Sequence, residues 1–162
     1  MTELQLLRAD HADALLAFEA ENRAYFARTI SDRGDDYFTG FDARHAALLA
    51  EQEAGTCLFH VLVEGDGQVL GRFNLVDVED GTAELGFRVA EKAAGRGVAT
   101  AAVHEICVRA TEEYGLTRLT AAATVRNIGS RTVLTRTGFV PVSETELAGE
   151  PATSYVRVLR DR

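Results

Sequence analysis

The sequence has 162 residues, of which 46% are hydrophobic and 26% are charged, and its formal net charge is -8. This length fits a single domain, taken as residues 1–162, that can bury one sizeable hydrophobic core. The negative charge disfavours nucleic-acid binding, which usually requires a basic face, and it suits a cationic acceptor such as an amine.

The sequence shows no targeting pattern and no metal-binding pattern. A signal peptide needs a basic start and an apolar run, but charged residues such as Arg8 and Asp10 interrupt the N-terminal segment. No apolar segment approaches the ~18 residues of a membrane span. Cys57 and Cys107 form no Cys-x-x-Cys pair, and the four histidines lack metal-ligand spacing. We therefore expect a cytoplasmic protein with two buried thiols, no membrane contact and no bound metal.

The first predicted elements are a short strand at 4–7 and two helices. The first helix (10–25) begins at a capping aspartate, and the second (42–55) ends at a glycine. The polar, glycine-containing residues 27–40 between them predict a loop.

The pattern then changes from helical to strand periodicity. Residues 57–63, 69–78 and 83–89 predict three antiparallel strands joined by glycine-containing turns. The remaining predicted elements are a helix at 98–114, a strand at 119–125, a helix at 128–136 and final strands that begin at Phe139 and Ser154. Helices on a mostly antiparallel sheet place the chain in the α+β class.

A Gly95-Arg96-Gly97 turn joins the third strand of this meander to the following helix. Backbone N–H groups at a helix N-terminus bind anions, and glycines allow a ligand to approach the backbone closely. A Walker A loop is excluded because the sequence contains no Gly-Lys pair. A dinucleotide fingerprint is disfavoured because Thr100 replaces its third glycine and a meander precedes the turn. The remaining interpretation is a loop that binds the pyrophosphate of an acyl-coenzyme A.

Four segments in order resemble the GNAT superfamily of N-acetyltransferases, close to its RimJ/RimL-type branch. They are residues 21–26, 83–89, 94–99, and 124–130 followed by 137–139. The resemblance implies a GNAT-like fold, with a mixed, mostly antiparallel central sheet of about seven strands flanked by about four helices. It also implies direct transfer of an acetyl group from acetyl-CoA to a primary amine, without a metal.

The resemblance implies cofactor-binding roles for particular positions. Backbone N–H groups would cradle the pyrophosphate at Gly95, Arg96, Gly97, Val98, Ala99 and Thr100. Main-chain atoms of Phe87, Arg88 and Val89 would pair with the pantetheine between two strands that splay apart. The N–H of Val89 would polarise the thioester carbonyl, and Asn127 would contact the pantetheine arm.

Two departures from the family pattern affect these expectations. Ala94 stands where the loop usually carries Gln or Arg, so phosphate binding would rely on backbone donors. Leu134 stands where many members carry a tyrosine acid. RimJ/RimL-type members often present a serine three residues after the asparagine, and by this resemblance Ser130 is assigned as the acid or as a hydrogen-bond donor to the thiolate. Glu84 is assigned as the base that takes the amine proton through a water chain. The alternative for Glu84 is a surface or salt-bridged glutamate.

The acceptor is less defined than the donor. The resemblance suggests a protein N-terminal α-amine, including that of a ribosomal protein. A small-molecule amine and a non-catalytic CoA-binding module stay open as alternatives. Acidic side chains could attract a cationic acceptor or keep a loop solvated; these are Glu19, Glu21, Asp32, Asp35 and Asp36. Aromatic side chains could line the acceptor pocket or pack the N-terminal helices; these are Tyr25, Tyr37 and Phe38. A homodimer is a further expectation from the resemblance.

Overall fold

The computed structural model describes residues 1–159, and its seven strands form one sheet. The strands are β1 (Thr2–Leu6), β2 (Leu58–Glu64), β3 (Val69–Glu79), β4 (Thr82–Val89), β5 (Arg118–Thr124), β6 (Val140–Leu147) and β7 (Glu150–Val158). Their order across the sheet is β1-β2-β3-β4-β5-β7-β6, and all neighbours are antiparallel except β4 and β5. The predicted α+β class and the mixed, mostly antiparallel sheet of seven strands are confirmed.

Six α-helices flank this sheet in the described part of the chain. They are α1 (Ala12–Glu21), α2 (Arg23–Phe26), α3 (Asp35–Thr39), α4 (Phe41–Glu53), α5 (Val98–Glu112) and α6 (Ile128–Arg136). Four of them have nine or more residues and correspond to the four predicted helices. Within residues 1–159, none of the helices combines the length and the apolar character needed to cross a membrane.

The N-terminal helices depart from the prediction in two places. The helix expected to reach Tyr25 is interrupted at Asn22, whose side chain donates to the carbonyl oxygen of Phe18 (2.9 Å) and accepts from the N–H of Glu91 (3.0 Å). The segment predicted as a loop, 27–40, contains the short helix α3. The first departure depends on the side-chain contacts of Asn22 and the second on a short helix. Neither feature produces the apolar periodicity from which helices are predicted.

The last two strands are longer than predicted because they form a hairpin. β6 and β7 pair from Val140↔Val156 to Leu147↔Glu150. The turn uses Ala148 and Gly149, both at positive φ (50° and 79°). Every residue of β6 is exposed, and residues 143–146 are all polar, so the apolar pattern that predicts a strand stops after Val142.

The two faces of the sheet carry separate hydrophobic clusters. Helices α5 and α6 cover one face, with Phe73, Leu75, Leu85, Val103, Ile106, Leu119 and Leu134 in its cluster. The N-terminal helices cover the other face, with Leu15, Phe18, Phe41, Phe59 and Val61. Cys57 and Cys107 are buried free thiols, as predicted.

The parallel pair β4 and β5 separates along its length. The strands pair at only three positions, Thr82↔Arg118, Ala83↔Leu119 and Glu84↔Thr120. Beyond Glu84 they diverge, and β5 continues to pair with β7 along its whole length. The predicted splay between these strands is confirmed, and it opens the sheet beside the start of α5.

Candidate active site

The first cleft lies at the end of β4, beyond the positions where β4 and β5 pair, and has a volume of about 510 Å³. Its walls come from the end of β4, the turn before α5, the start of α6 and residues 25–30. It brings together nearly all residues predicted to bind the cofactor: Phe87, Arg88, Val89, Gly95, Gly97, Val98, Ala99, Thr100, Asn127 and Ser130. Arg96 is exposed and does not line this cleft.

The turn before α5 presents open backbone to the first cleft. Gly95 and Gly97 have positive φ values of 73° and 75°, and Gly97 is the N-cap of α5. A Cβ added at either position would meet nothing within 4 Å. The first N–H groups of a helix have no intrahelical partner, and none of the described side chains caps α5. These free donors and the open space above them fit a phosphate-bearing group such as the pyrophosphate of coenzyme A.

The ladder between β3 and β4 decides which main-chain groups face the cleft. The N–H of Ala90 donates to the carbonyl oxygen of Leu70 at 2.8 Å. Main-chain groups alternate in direction along an antiparallel ladder. With the register Arg72↔Arg88 and Gly71↔Val89, the main chain of Arg88 faces β3. The N–H and C=O groups of Phe87 and Val89 instead face the gap toward β5, where an extended ligand could pair with them.

The start of α6 forms the opposite wall of the first cleft. The Oδ1 of Asn127 accepts a hydrogen bond from the N–H of Ser130 at 3.2 Å and caps the helix. Within the described residues the Ser130 hydroxyl has no hydrogen-bond partner, so it is available to a ligand. Leu134, one turn further on, is 1% exposed and belongs to the hydrophobic core.

A second, smaller cleft of about 300 Å³ adjoins the first one. The two clefts share six lining residues: Thr29, Ile30, Phe87, Arg88, Asn127 and Ser130. The second cleft continues over the sheet face of Arg72, Asn74 and Gly86 and reaches Glu150 on β7. Two ligands could therefore meet beside Ser130, one entering from each cleft.

Glu84 lies on the same sheet face as the second cleft but does not line it. Gly86 and Arg88, two and four residues further along β4, both line that cleft, and alternate strand residues share a face. The Glu84 side chain is exposed. A proton from the cleft would have to reach its carboxylate through water, and the assignment of Glu84 as a base stays a prediction.

A buried carboxylate lies beneath the second cleft. Glu19 of α1 is 1% exposed and accepts hydrogen bonds from Arg72 (2.8 Å), Arg88 (3.1 Å) and Arg33 (3.1 and 3.3 Å). Both interpretations of its acidic charge, attraction of a cationic acceptor and solvation of a loop, are therefore wrong for Glu19. Its charge is already neutralised by three arginines.

The pKa values of Glu19 and Arg88 are both shifted by burial and by the neighbouring charges. Burial raises the pKa of the Glu19 carboxyl, but Arg33, Arg88 and Arg72 outweigh burial and hold that pKa below its usual value. For Arg88, burial and the repulsion from Arg33 lower the pKa of the guanidinium more than Glu19 raises it, and Arg72 lowers it further. By count, the cluster contains three guanidinium groups and one carboxylate.

The aromatic candidates divide between the clefts and the packing of the helices. Tyr25 lines the first cleft. The hydroxyl of Tyr37 accepts a hydrogen bond from Arg72 at 3.0 Å, and its ring lies under Arg33 at 4.5 Å. Phe38 lies under Arg23 at 4.5 Å, away from both clefts. Arg23 also donates a hydrogen bond to Asp32 (2.8 Å). The charge of Asp32, one of the candidates for attracting a cationic acceptor, is therefore already paired.

Sequence reasoning missed several residues of the second cleft. Asn74 and Thr124 line it, and Asn74 Oδ1 and Thr124 Oγ1 are buried without a hydrogen-bond partner in residues 1–159. Arg72 also lines it. Arg72 and Asn74 lie two residues apart on one strand, so a search for polar residues with period two inside an apolar strand could have found them.

Comparison with known proteins agrees with this geometry. The family described as "Acetyltransferase (GNAT) domain" matches residues 2–140. A probable N-acetyltransferase of Bacillus subtilis, YjcK, is 29% identical over 140 residues, which cover 82% of this chain and 77% of the relative.

Two solved structures have the same fold at low sequence identity. The ribosomal-protein-S5-alanine acetyltransferase of Vibrio fischeri has a TM-score of 0.91 and 19% identity, with 99% of this chain and 94% of that chain covered. RimJ of Mycobacterium smegmatis, solved in complex with CoA-disulfide, has a TM-score of 0.86 and 23% identity, with 97% and 81% covered. The chain belongs to the GNAT acetyltransferase family and shares the fold of its RimJ-type members.

Proposed function

We propose that this acetyltransferase acetylates the N-terminal α-amine of a protein or peptide, with acetyl-CoA in the first cleft and the amine in the second. The observation that carries the proposal is the meeting of the two clefts at Phe87, Asn127 and Ser130. Acetyl-CoA supplies an activated thioester, and direct transfer requires the two reactants to be held side by side.

The N-terminal amine is favoured because the clefts offer little help with deprotonation. The attacking amine must be neutral, and an α-amine has a pKa of ~7.7–8.0 against ~10.4 for lysine. Among the described residues that line the two clefts, Glu150 is the one carboxylate. It is bound by Arg126 at 2.5 and 3.0 Å. An acceptor of low pKa needs the least assistance in such a site.

The chain's own groups would then fill the catalytic and cofactor-binding roles. The N–H of Val89, which faces the gap between β4 and β5, would stabilise charge on the carbonyl oxygen. The hydroxyl of Ser130 would donate to the departing thiolate. Glu84 would take the amine proton through water along the sheet face. Backbone donors at Gly95, Gly97 and the start of α5 would hold the pyrophosphate.

The relatives support a protein acceptor and also show the alternative. The Vibrio fischeri neighbour is named for the alanine of ribosomal protein S5, whereas another structural neighbour is a spermidine N-acetyltransferase chimera. Acetylation of a small-molecule amine is therefore the second candidate. A non-catalytic CoA-binding module is the third, because Leu134 is in the core where many family members carry a tyrosine acid.

The test combines cofactor binding with an acceptor panel. Isothermal titration should show that acetyl-CoA binds the full chain. Mass spectrometry of N-terminal peptides, lysine peptides with blocked N-termini, and spermidine should then show acetylation first on the peptide α-amines. Faster acetylation of spermidine would favour the small-molecule alternative. Binding without acetylation of any amine would favour the non-catalytic module.

A further inference from the structure

The floor of the second cleft carries an excess of positive charge. Arg72 and Arg88 face each other across β3 and β4, and both line the cleft together with Arg33. These three guanidinium groups share the single carboxylate of Glu19, which leaves a formal excess of two positive charges. Glu150 at the far wall does not balance this excess, because Arg126 already binds it.

This excess is held in a place where water screens it poorly. The side chains of Arg72, Arg88 and Arg33 are 6%, 15% and 25% exposed. Burying unbalanced charge costs free energy unless a counter-charge arrives. Within the described residues, the hydrogen bonds of the Arg72 side chain all use Nη1. The rest of its guanidinium fork is available, and such a fork matches the geometry of a carboxylate.

Two hydrogen-bond acceptors without partners lie beside this charge. Asn74 Oδ1 and Thr124 Oγ1 are buried in the lining of the second cleft and have no partner in residues 1–159. Thr124 is only 9% exposed. Each oxygen can accept a hydrogen bond from an amine. A buried polar atom left unpaired is costly. Asn74 Oδ1 is an acceptor and the Thr124 hydroxyl can accept as well as donate, so a ligand group that donates would satisfy both atoms.

The sheet register places the arginine cluster close to the two unpaired oxygens. Asn74 is two residues beyond Arg72 on the same face of β3, a separation of roughly 7 Å between Cα atoms. Its partner across the ladder is Gly86, and a Cβ added there would meet nothing within 4 Å. The space above Gly86 thus links the arginine cluster to the unpaired oxygens, and Ser130 lies at the border with the first cleft.

Resting on the proposed function, we propose that the second cleft selects an amine acceptor that also carries a carboxylate, as a peptide with an acidic residue at its second position does. The carboxylate binds the cluster of Arg33, Arg72 and Arg88. The amine donates to Asn74 Oδ1 and Thr124 Oγ1 and faces the first cleft. Polyamines are disfavoured because their second ammonium group would lie against the same arginines.

The test compares two peptides that differ only in glutamate or glutamine at the second position. Wild-type enzyme should acetylate the glutamate peptide with a kcat/KM roughly tenfold higher, the effect expected of a hydrogen-bonded charge pair. Raising the ionic strength should reduce this ratio. The ratio is measured within one enzyme preparation, so a partly folded sample lowers both rates and leaves the ratio unchanged.

Variants assign the preference to the cluster. In Arg72→Gln the ratio of kcat/KM for the glutamate peptide to kcat/KM for the glutamine peptide should fall toward one. Arg33 is the most exposed of the three arginines, and Arg33→Gln provides the same test if Arg72→Gln does not fold. Arg118→Gln is the matched control, because Arg118 is exposed at the opposite end of β5 and lines neither cleft. Its ratio should equal that of wild type.

The outcomes separate this inference from the function on which it rests. Acetylation of both peptides at equal rates would overturn the selection of a carboxylate while the proposed acetylation of an α-amine stands. Faster acetylation of spermidine would overturn both that selection and the α-amine acceptor. A ratio that Arg72→Gln and Arg33→Gln leave unchanged would overturn the assignment to these arginines. No acetylation of any amine would overturn the proposed function and the inference together.

Discussion

Arg72 on β3 donates from Nη1 to Oε2 of Glu19 on α1 at 2.8 Å, and these side chains are 6% and 1% exposed. This contact joins residues 53 positions apart in the sequence. It fixes the N-terminal helices to the sheet directly beneath the second cleft. The second cleft, the proposed acceptor side, therefore depends on a charged contact, whereas the first cleft, the proposed cofactor side, depends on backbone.

Glu19→Gln should destabilise the fold strongly, because it leaves three guanidinium groups without their counter-charge. Removing one partner of a buried ion pair typically costs about 3–5 kcal/mol. Urea denaturation followed by circular dichroism measures the free energy of unfolding. Glu21→Gln, an exposed residue of the same helix, should change that free energy by less than ~0.5 kcal/mol. Equal stabilities of the two variants would contradict the assigned role of Glu19.

Gly97→Ala should weaken acetyl-CoA binding, because a side chain at φ 75° strains the turn that presents the backbone donors. The left-handed conformation costs an alanine about 1–2 kcal/mol. Gly115→Ala is the matched control, since Gly115 follows the other end of α5 at φ 66° and also has open space around it.

These two glycine variants should lose similar unfolding free energy, yet only Gly97→Ala should raise the Kd for acetyl-CoA in isothermal titration. An unchanged Kd in Gly97→Ala would show that the turn does not hold the cofactor.

Ser130→Ala should lower kcat by about 100-fold if the hydroxyl donates to the thiolate, the lower end of what a positioned acid contributes. The helix cap uses the N–H of Ser130 and not its hydroxyl, so the melting temperature should hardly change. Ser143→Ala on the exposed strand β6 removes a hydroxyl outside both clefts and should keep full kcat. A Ser130→Ala enzyme with wild-type kcat would remove Ser130 from the mechanism.

Glu84→Gln should lower kcat/KM mostly at low pH, because a base matters only while the acceptor amine is protonated. The ratio of wild-type to variant kcat/KM should be largest below pH ~8, near the pKa of an α-amine, and should decline above it. Glu112→Gln, exposed on α5, is the control and should follow the wild-type profile. A Glu84→Gln profile parallel to wild type at every pH would assign Glu84 to the surface.

His60 should make the fold less stable in acid. It is completely buried, its Nδ1 lies 3.0 Å from the carbonyl oxygen of Phe73, and its Nε2 lies 2.7 Å from the hydroxyl of Tyr114. Burial lowers the pKa of His60 to about 4. The unfolded chain takes up this proton near pH ~6.5. Between these pH values the unfolded state binds more protons, so stability falls as the pH falls.

The loss attributable to His60 is on the order of 3 kcal/mol between pH 6.5 and 4. The stability advantage of wild type over His60→Gln should therefore shrink by about this amount on acidification. His104→Gln, at an exposed site on α5, should follow the wild-type curve. Parallel pH dependences of wild type and His60→Gln would show that His60 is protonated in the fold.

Much of the cofactor side was predictable from sequence. The Gly95-Arg96-Gly97 turn needs residues that adopt positive φ, and glycine is the residue that does so freely. The meander and the helix α5 carry clear apolar periodicity, which the burial of Val103 and Ile106 follows. These signals are local, so a single sequence reveals them.

The acceptor side was hidden because its contacts are long-range and polar. Glu19 meets Arg72 and Arg88 across 53 and 69 residues, and no local pattern marks a buried glutamate. Asn74 and Thr124 lie among apolar strand residues, and their lack of partners shows only in the folded chain. The net charge of -8 suggested a cationic acceptor, although the local charge at the second cleft is positive.

The central claim is that an acetyl group passes from a cofactor in the first cleft to an amine in the second. The most direct measurement is mass spectrometry of an N-terminal peptide incubated with the full chain and acetyl-CoA, with fragmentation to locate the acetyl group. The account predicts one enzyme-dependent acetyl group on the α-amine, reduced in Ser130→Ala. Tight acetyl-CoA binding with no acetylated amine would contradict it.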